Sequence, residues 1–384
     1  MAVATAPRRR TLGSLSRSST GDLLRHLDLP LVGAAIAIAL LGVVMVYSAT
    51  RGDADGGFTT YFLQRQGLFV LGGIGLMLGI AVADYRHARD WAVPVAGITL
   101  FLLLAVLTPL GAERGGSQSW FEFAGFQLQP SEFAKIALII GLATFLTFER
   151  AGIDRHRLLL ALGMAAAPMA LIMLQPDLGT VLVFAAITLG MLLVAGVRPR
   201  HLAVLALVAI VGGIGLLNSN LLAEYQVDRL TSFVSPDDDV EQETYNLNQS
   251  RIAIASGGTS GKGLFNGTQT SGGFVPEQHT DFIFTVVGEE LGFIGAAGLL
   301  GLYLVVIWRI WRIAQLSRDA FGTIVCVGVM SMMLFQIFQN IGMTIGIMPI
   351  TGLPLPLMSY GGSSVLTSFA AIGLVLSVQL RRFS

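Results

Sequence analysis

Long apolar runs alternate with short polar connections along most of the chain. Each run is long enough to cross a hydrocarbon core of about 30 Å as a helix, which also satisfies its own backbone hydrogen bonds. The pattern predicts ten such helices, near residues 30–49, 62–83, 92–110, 131–148, 158–174, 178–196, 202–218, 282–307, 320–342 and 363–380. The predicted fold is an all-α integral membrane protein whose polytopic domain covers 29–384, with a large extracytoplasmic loop at 219–280 between the seventh and eighth helices.

Charge indicates which face of this bundle is cytoplasmic. The chain is 53% hydrophobic and 12% charged, about half the charged share of a soluble domain. Lys and Arg in short loops are retained in the cytoplasm. Alternate connections hold most of the 24 basic residues, namely Arg8, Arg9, Arg10, Arg17, Arg25, Arg86, Arg89, Arg150, Arg155, Arg157, Arg198, Arg200, Arg309, Arg312, Arg318, Arg381 and Arg382. Both termini are therefore predicted to be cytoplasmic, and residues 1–28 are interpreted as a disordered Arg-rich leader.

A charged pair lies at the predicted start of the fourth helix, in QPSEFAKIAL. Glu132 and Lys135 are three residues apart, so they share one helix face and can form an ion pair. Ionisable groups inside a membrane protein usually face a cavity or a partner. Two interpretations stay open: a structural pair that fixes the helix start, or a carboxylate and a cation that line a substrate cavity.

A second polar site is Asp177, which a proline and a glycine bracket in LQPDLGT. The motif predicts a tight turn or a broken helix, which is tolerated at membrane depth only inside protein or against a cavity. A purely architectural turn and a role in orienting Lys135 or a ligand are equally consistent with it.

The end of the outer loop carries a polar helix. The stretch TYNLNQSRIAIASGG, at 244–258, is typical of a short amphipathic helix that lies on the membrane surface. Gln249 and Arg251 would lie at its edge, where they suit either a sugar phosphate or simple interfacial anchoring.

The stretch PEQHTDFIF places Asp281 just before a long apolar run. Thr280 or Asp281 is predicted to cap the helix that follows, because a carboxylate or hydroxyl there satisfies unpaired backbone amides. Further titratable groups lie nearby, at Glu277, His279, Glu289 and Glu290. A helix cap does not need so many titratable groups nearby, so Asp281 is also a candidate reactive group.

The distribution of cysteine and histidine residues does not indicate a metal site. Cys326 is the single cysteine and lies inside a predicted span, and the five histidines are scattered. No cofactor is therefore predicted with certainty, and no nucleic-acid partner is expected.

Five motifs together resemble the SEDS family, the shape, elongation, division and sporulation proteins. They are FQLQPSEFAKIAL, LQPDLGT, TYNLNQSRIAIASGG, GLFNGTQTSGGFVPEQHTDFIFTVVGEELGFIGA and LPLPLMSYGGSS. NGTQT followed by PEQHTDFIF is most similar to the RodA branch. The resemblance implies a ten-helix peptidoglycan glycosyltransferase of the bacterial cytoplasmic membrane that serves cell elongation and shape. Such enzymes polymerise lipid II, a disaccharide pentapeptide on undecaprenyl pyrophosphate, at the outer face of the membrane.

The resemblance also implies site residues. The essential aspartate of the family matches Asp281, its PSE-x-x-K motif matches Glu132 and Lys135, and its upstream tryptophan matches Trp120. Many relatives have Arg immediately before that tryptophan, where this chain has Ser119. Arg114 is the nearest cation that could replace the charge of the missing arginine.

The chemistry implied is an inverting glycosyl transfer, for which Asp281 is the candidate general base. The departing pyrophosphate needs cations, and the candidates are Lys135, Arg51, Arg65 and Arg251. A divalent ion such as Mg²⁺ could share that role, but no sequence feature demands one. The other predicted substrate-binding residues are Asp177, Gln249, Ser250, His279 and Ser363.

Two other functions stay open: a transporter that flips lipid II, and a non-catalytic scaffold of the wall-elongation complex. A transporter needs a charged path across the membrane, whereas the motif charges gather at the predicted outer ends. The resemblance further implies partners: a class B penicillin-binding protein with transpeptidase activity, other proteins of the elongation complex, and membrane lipid.

Overall fold

The computed structural model describes residues 27–51, 60–114, 117–123, 126–148, 153–205, 207–208 and 241–382. Within these ranges the helices follow the predicted apolar runs in order. They are α1 (Leu29–Thr50), α2 (Tyr61–Val82), α3 (His87–Asp90), α4 (Ala92–Ala105), α5 (Pro130–Thr147), α6 (Arg155–Met173), α7 (Leu178–Val194), α8 (Glu241–Gly257), α9 (Thr268–Ser271), α10 (Ile283–Gln315), α11 (Ala320–Ile345) and α12 (Gly362–Leu380). Seven of them are long and apolar enough to span a membrane, while α4 and α7 are apolar but shorter. The prediction of a mostly helical membrane fold is confirmed.

Some predictions lie outside the described residues. The predicted seventh span, 202–218, is helical as far as residue 205, and most of the remainder is not described. The leader at 1–26 and the part of the outer loop at 219–240, with its acidic run, also lie outside. The described end of that loop contains α8, so the predicted helix at 244–258 is confirmed.

The third apolar run was predicted to stay helical to residue 110, and this is wrong. Helix α4 ends at Ala105. The amides of Leu107 and Thr108 bond to carbonyls three residues back, at 3.1 Å each, which is a tightened final turn. Pro109 disfavours a helical conformation at Thr108 and has no amide to donate, so the chain leaves the helix there.

A small sheet that the sequence analysis did not predict follows this turn. Strands β1 (Ala112–Arg114), β2 (Ser117–Phe123) and β3 (Phe126–Leu128) form an antiparallel sheet in the order β1-β2-β3. The register pairs Ala112 with Trp120 and Phe121 with Leu128. The all-α prediction therefore needs correction in the segment between α4 and α5, where the sheet leads directly to Pro130 at the start of α5.

Helix α12 lies in the core of the bundle. Nearly every residue from Ser363 to Leu380 is buried, and α12 contacts α2, α5, α10 and α11. A side chain at Gly373 would come within 2.7 Å of the Met77 carbonyl oxygen of α2. The glycine thus permits close approach of the two backbones, as small residues do in membrane helices.

Aspartates begin four of the long helices. Asp28, Asp154, Asp177 and Asp319 accept backbone amide hydrogen bonds at the starts of α1, α6, α7 and α11. Asp28 also accepts a hydrogen bond of 2.9 Å from Nε of Arg309. This ion pair joins the start of α1 to α10.

Helix α10 is kinked at Gly292. The backbone there has φ 64° and ψ −163°, a region that is essentially restricted to glycine. A Cβ at this position would overlap the backbone nitrogen of Gly261 in the segment after α8. The kink therefore lets the outer-loop backbone lie directly on α10, next to the buried Glu289 and Glu290.

We expect Gly292→Ala to destabilise the protein by at least about 1–3 kcal/mol, because it adds backbone strain as well as the overlap with Gly261. Thermal unfolding of the purified protein in detergent measures the effect. Gly298→Ala in the same helix is the matched control, since a Cβ at Gly298 meets no atom within 4 Å. Equal unfolding temperatures for the two variants would contradict this account of the kink.

Candidate functional site

Asp281 lies in a turn that precedes α10, and its carbonyl oxygen accepts a hydrogen bond of 2.8 Å from Nδ2 of Asn340. The N-cap position of α10 is held by Phe282, so the prediction that Thr280 or Asp281 caps this helix is wrong. The Thr280 hydroxyl instead donates to the carbonyl oxygen and carboxylate of Glu277, at 3.1 and 2.9 Å. Glu277 has a φ of 51°, and this left-handed residue turns the chain so that helical geometry begins later. The Asp281 side chain is half-buried.

An aromatic cluster surrounds this turn. It consists of Tyr61, Phe62, Phe69, Phe126, His279 and Tyr360, contributed by α2, β3, the Asp281 turn and the connection between α11 and α12. The ring of Phe62 lies 5.1 Å from the rings of both His279 and Tyr360. The backbone amide of Tyr360 also donates to the His279 carbonyl at 2.9 Å. Four separate segments thus meet two residues away from Asp281.

Arg65 belongs to the same site. Its guanidinium lies 4.9 Å from the ring centroid of Tyr61 and 5.4 Å from that of Phe126, and it donates a hydrogen bond of 2.5 Å to the Tyr61 hydroxyl. Burial raises the pKa of Tyr360, while the charge of Arg65 and a hydrogen bond with it oppose that increase. The structure therefore places two of the predicted residues, His279 and Arg65, in one aromatic cluster, and His279 lies two residues before Asp281 in the same turn.

Tyr360 and Phe62 were not among the predicted site residues. The signal for Tyr360 was present in LPLPLMSYGGSS, where one aromatic residue stands between a proline-rich turn and two glycines. Phe62 carried no such signal, because it reads as one more apolar residue of a membrane helix.

Glu132 and Lys135 form a buried ion pair near the start of α5. The Nζ to Oε1 distance is 2.6 Å, and both side chains are almost fully buried, with 3% and 1% exposed. The predicted pairing is confirmed. Because a buried charge is costly unless it is paired, each member depends on the other.

Asp177 completes this second group of charges. It accepts hydrogen bonds from the backbone amide and hydroxyl of Thr180, at 2.9 and 2.7 Å, and so begins α7. Burial raises the pKa of the Asp177 carboxyl, the Thr180 hydrogen bonds and the charge of Lys135 lower it, and the charge of Glu132 raises it. We call Glu132, Lys135 and Asp177 the buried charged group. Its geometry supports the architectural interpretation of Asp177 and also places Asp177 in the electrostatic field of Lys135.

The sheet borders this group. Trp120 is half-buried in β2, and the buried hydroxyl of Ser119 lies 3.5 Å from the Gln175 carbonyl oxygen. Ser117 donates to the same oxygen at 2.5 Å. β2 is thereby attached to the connection between α6 and α7 that carries Asp177. The backbone of Arg114 pairs with Ser117 at the edge of the sheet.

Ser363 connects the two regions. Its hydroxyl accepts a hydrogen bond of 3.0 Å from the Gln129 amide and donates one of 3.1 Å to the Gln127 carbonyl. The start of α12, just after Tyr360, is thus joined to the end of β3 and the start of α5. This contact is structural, and substrate binding by Ser363 stays a prediction.

The residues predicted on α8 hold that helix in place. Ser250 is buried, is hydrogen-bonded to the Thr285 hydroxyl at 2.6 Å and donates to the Thr344 carbonyl at 2.9 Å. Arg251 donates to the carbonyls of Ile345 and Gly346, at 3.3 and 3.0 Å, and so caps the end of α11. These contacts give Ser250 and Arg251 an anchoring function, and Gln249 is half-buried beside them. A role of the three in substrate binding stays a prediction.

Arg51 lies at the end of α1, with its guanidinium 5.2 Å from the ring centroid of Phe265. The segment around Phe265 is held by the two buried glutamates of α10. Glu289 accepts hydrogen bonds from Lys262 at 2.8 Å, from the Gln269 and Thr270 amides at 2.8 and 2.9 Å, and from the Thr270 hydroxyl at 2.7 Å. Glu290 accepts from the Phe265 amide at 3.1 Å and from the Ser48 hydroxyl. These two carboxylates therefore anchor the segment between α8 and α9 and the start of α9, in contrast to the interpretation that they belong to a titratable cluster around Asp281.

The described residues contain no group of three or more His, Cys, Asp or Glu side chains that could hold a metal ion. Within these ranges, a divalent ion such as Mg²⁺ would therefore find at most two such side chains together.

Comparison with known proteins identifies the relatives of this chain. Residues 29–383 match the family model FtsW/RodA/SpoVE, described as cell cycle protein. Stage V sporulation protein E of Bacillus subtilis is 40% identical over 91% of this chain and 96% of its own length. The peptidoglycan glycosyltransferase MrdB of Escherichia coli is 35% identical, over 93% and 94%. An FtsW-named relative from Geobacter metallireducens is 36% identical, over 93% and 96%.

Solved structures of related proteins also resemble this chain. A peptidoglycan synthase complex, described for its coordination of polymerization and crosslinking, contains a chain with a TM-score of 0.78 and 32% identity, covering 93% of this chain and 99% of that one. A mutant of the rod shape determining protein RodA of Thermus thermophilus has a TM-score of 0.71 and 31% identity, with the same coverage.

Proposed function

This chain belongs to the FtsW/RodA/SpoVE family of SEDS proteins, and on that basis we propose that it is a peptidoglycan glycosyltransferase that polymerises lipid II during cell elongation. Relatives of similar identity carry the names of glycosyltransferases, and the chain of a peptidoglycan synthase complex has the same fold. The reaction takes place at the outer face of the bacterial cytoplasmic membrane, with both termini in the cytoplasm. The distribution of Lys and Arg supports this orientation.

The observation that supports the proposal most directly is the aromatic cluster, which Arg65 contacts and to which the Asp281 turn contributes His279. Asp281 is two residues from His279, whose ring packs on Phe62 in the cluster that also holds Arg65. The turn that carries the Asp281 carboxylate and the cation of Arg65 thus both contact the same aromatic cluster. These are the two groups that an inverting glycosyl transfer from a pyrophosphate requires.

The proposed reaction uses each group once. The Asp281 carboxylate takes the proton of the acceptor 4-hydroxyl, whose oxygen attacks the anomeric carbon of the donor sugar. The bond from that carbon to the phosphate oxygen breaks, and its electron pair leaves with the undecaprenyl pyrophosphate. Arg65 stabilises the negative charge that develops on this leaving group. Attack from the face opposite the pyrophosphate converts an α-linked donor into a β-1,4 bond.

Arg65 is the best placed of the four candidate cations. Lys135 is already paired with Glu132 inside the protein, and Arg251 donates to backbone carbonyls of α11. Arg51 packs on Phe265, in the segment that Glu289 and Glu290 anchor. Arg65, in contrast, contacts Tyr61 and Phe126 of the aromatic cluster.

The partner proposed is a class B penicillin-binding protein, which supplies the transpeptidase that this chain lacks. The support is the solved synthase complex, whose description joins polymerization to crosslinking. Other proteins of the elongation complex and membrane lipid complete the proposed surroundings.

Purified protein with labelled lipid II tests the proposal, with and without the partner. Gel separation should reveal glycan strands longer than the disaccharide. Reconstitution in liposomes provides the contrasting readout, because a membrane-impermeant quencher detects lipid II that has crossed the bilayer. Translocation without any polymer would favour the transporter, and neither activity in the presence of partner would favour the scaffold.

We expect Arg65→Met to lower kcat for polymerisation by about 10²-fold, because one preorganised charge is removed from the leaving group. Arg89→Met is the matched control. Arg89 is exposed in α3, on the side of the bundle predicted to be cytoplasmic. Polymer formation at the same rate by both variants would remove Arg65 from the proposed reaction.

A further inference from the structure

A buried asparagine holds the backbone of Asp281. Asn340 lies in α11 and its side chain is fully buried, with 0% exposed. Its Nδ2 donates hydrogen bonds to two carbonyl oxygens, that of Asp281 at 2.8 Å and that of Leu353 at 2.7 Å. Both hydrogens of the amide group are therefore used, which also fixes the orientation of the carboxamide.

The two carbonyls belong to the two segments that form the site. Asp281 lies in the turn before α10, and Leu353 lies in the connection that leads to Tyr360. The amide of Tyr360 in turn donates to the carbonyl of His279 at 2.9 Å. Asn340 and this backbone contact thus close a short ring of interactions around Asp281, His279 and Tyr360.

Burying an amide this completely has a cost in free energy. The Asn340 Oδ1 atom is buried without a hydrogen-bond partner, and such an atom costs about 1–3 kcal/mol. An aliphatic residue would fill the same position in an apolar helix. The two hydrogen bonds that the amide donates, one to the Asp281 carbonyl and one to the Leu353 carbonyl, account for its presence.

We propose that Asn340 is a positioning residue for Asp281, a role that rests on the proposed function. It does not contact substrate. By attaching the Asp281 backbone to the connection that carries Tyr360, it keeps the carboxylate at a fixed distance from the aromatic cluster and Arg65. Catalysis by a general base is sensitive to such placement, since an error of about 1 Å can cost about 10²-fold in rate.

Gln339 provides a matched control. It is the preceding residue of α11, it is also buried, with 2% exposed, and its Nε2 donates to the Pro349 carbonyl at 2.9 Å. Gln339 therefore anchors the same connection with the same chemical group, but its bond goes to Pro349 and not to Asp281. Comparing variants of Asn340 and Gln339 therefore separates an effect on Asp281 from a general loosening of the connection between α11 and α12.

The experiment compares Asn340→Leu with Gln339→Met, two near-isosteric replacements that remove the amide donors. Unfolding temperature, kcat and KM for labelled lipid II are measured for each purified variant. We expect both variants to unfold at a lower temperature. We expect Asn340→Leu to lower kcat by about 10- to 100-fold with KM within about twofold of the parent, and Gln339→Met to keep kcat within about twofold.

The coupling between substitutions at Asn340 and Asp281 is a second measurement, and a purely structural role of Asn340 would not produce such coupling. In Asp281→Glu the carboxylate is already displaced by one methylene, so Asn340→Leu should cost less there than in the parent. Asn340→Ser, whose hydroxyl donates one hydrogen bond, is made alongside in case the leucine variant does not fold, and its kcat should also fall.

Three results would overturn the inference: an unchanged kcat in a folded Asn340 variant, an equal loss in Gln339→Met, or full additivity with Asp281→Glu. Failure of the proposed function has a different signature, because the parent protein would then make no polymer. Polymerisation retained by Asp281→Asn would exclude Asp281 as the base, whatever the Asn340 variants do.

Discussion

Asp281→Asn is expected to reduce polymerisation of lipid II by about 10²- to 10⁴-fold, the range that a positioned general base contributes. Asparagine has nearly the same shape as aspartate but cannot accept the proton of the acceptor hydroxyl. The backbone contact from Asn340 to the Asp281 carbonyl does not involve the side chain, so the turn should keep its position. Initial rates with labelled lipid II measure the loss, and the unfolding temperature checks that the variant is folded.

Glu277→Gln is the control for this experiment. Glu277 is an exposed carboxylate of the same turn, and it accepts a hydrogen bond of 2.9 Å from the Thr280 hydroxyl, which glutamine can also accept. We expect its polymerisation rate to stay within about twofold of the parent, because removal of an exposed charge changes little. A rate for Asp281→Asn close to that of the control would exclude Asp281 as the base.

The membrane helices were predictable because each depends on a local property of the sequence. In a chain of this composition, a run of about 20 apolar residues is compatible with few structures other than a membrane-spanning helix. The helix ends were less predictable: α4 stops at Ala105 although the apolar run continues to Leu110. The sheet was missed because β1 and β3 have three residues each, too few for an alternating pattern to be recognised.

The site was predictable only in part, because a polar residue does not reveal its partner. Glu132 and Lys135 were paired correctly, since their spacing along one helix decides it. Arg251 was a candidate for either phosphate binding or anchoring, and its contact with the end of α11, a helix that begins 69 residues later in the chain, could not be read from the sequence. Asn340 reads as one polar position in an apolar helix, and its contact with Asp281, 59 residues away, exists only in the folded chain.

Lys135→Met is the second variant with a large expected effect. It leaves the Glu132 carboxylate buried without its partner, which costs about 3–5 kcal/mol. We expect a much lower unfolding temperature and loss of polymerisation. That result alone cannot separate a structural pair from a substrate-binding cation, because both lose function when the protein unfolds.

The double variant Glu132→Gln/Lys135→Met separates the two interpretations. With both charges removed no unpaired charge is left inside the protein, and replacement of a buried ion pair by uncharged residues is often neutral for stability. We expect the unfolding temperature to return close to that of the parent. Glu132→Gln alone is the second single variant of this double-mutant cycle. It leaves Lys135 with a neutral hydrogen-bond acceptor.

Polymerisation by the double variant then decides the role of Lys135. If the pair serves only to hold the start of α5 against Asp177 and the sheet, restored stability should restore kcat. If the Lys135 charge also acts on the pyrophosphate, kcat should stay about 10²-fold low in a stable protein. The geometry favours the first result, because the Lys135 side chain is only 1% exposed and its Nζ lies 2.6 Å from Glu132.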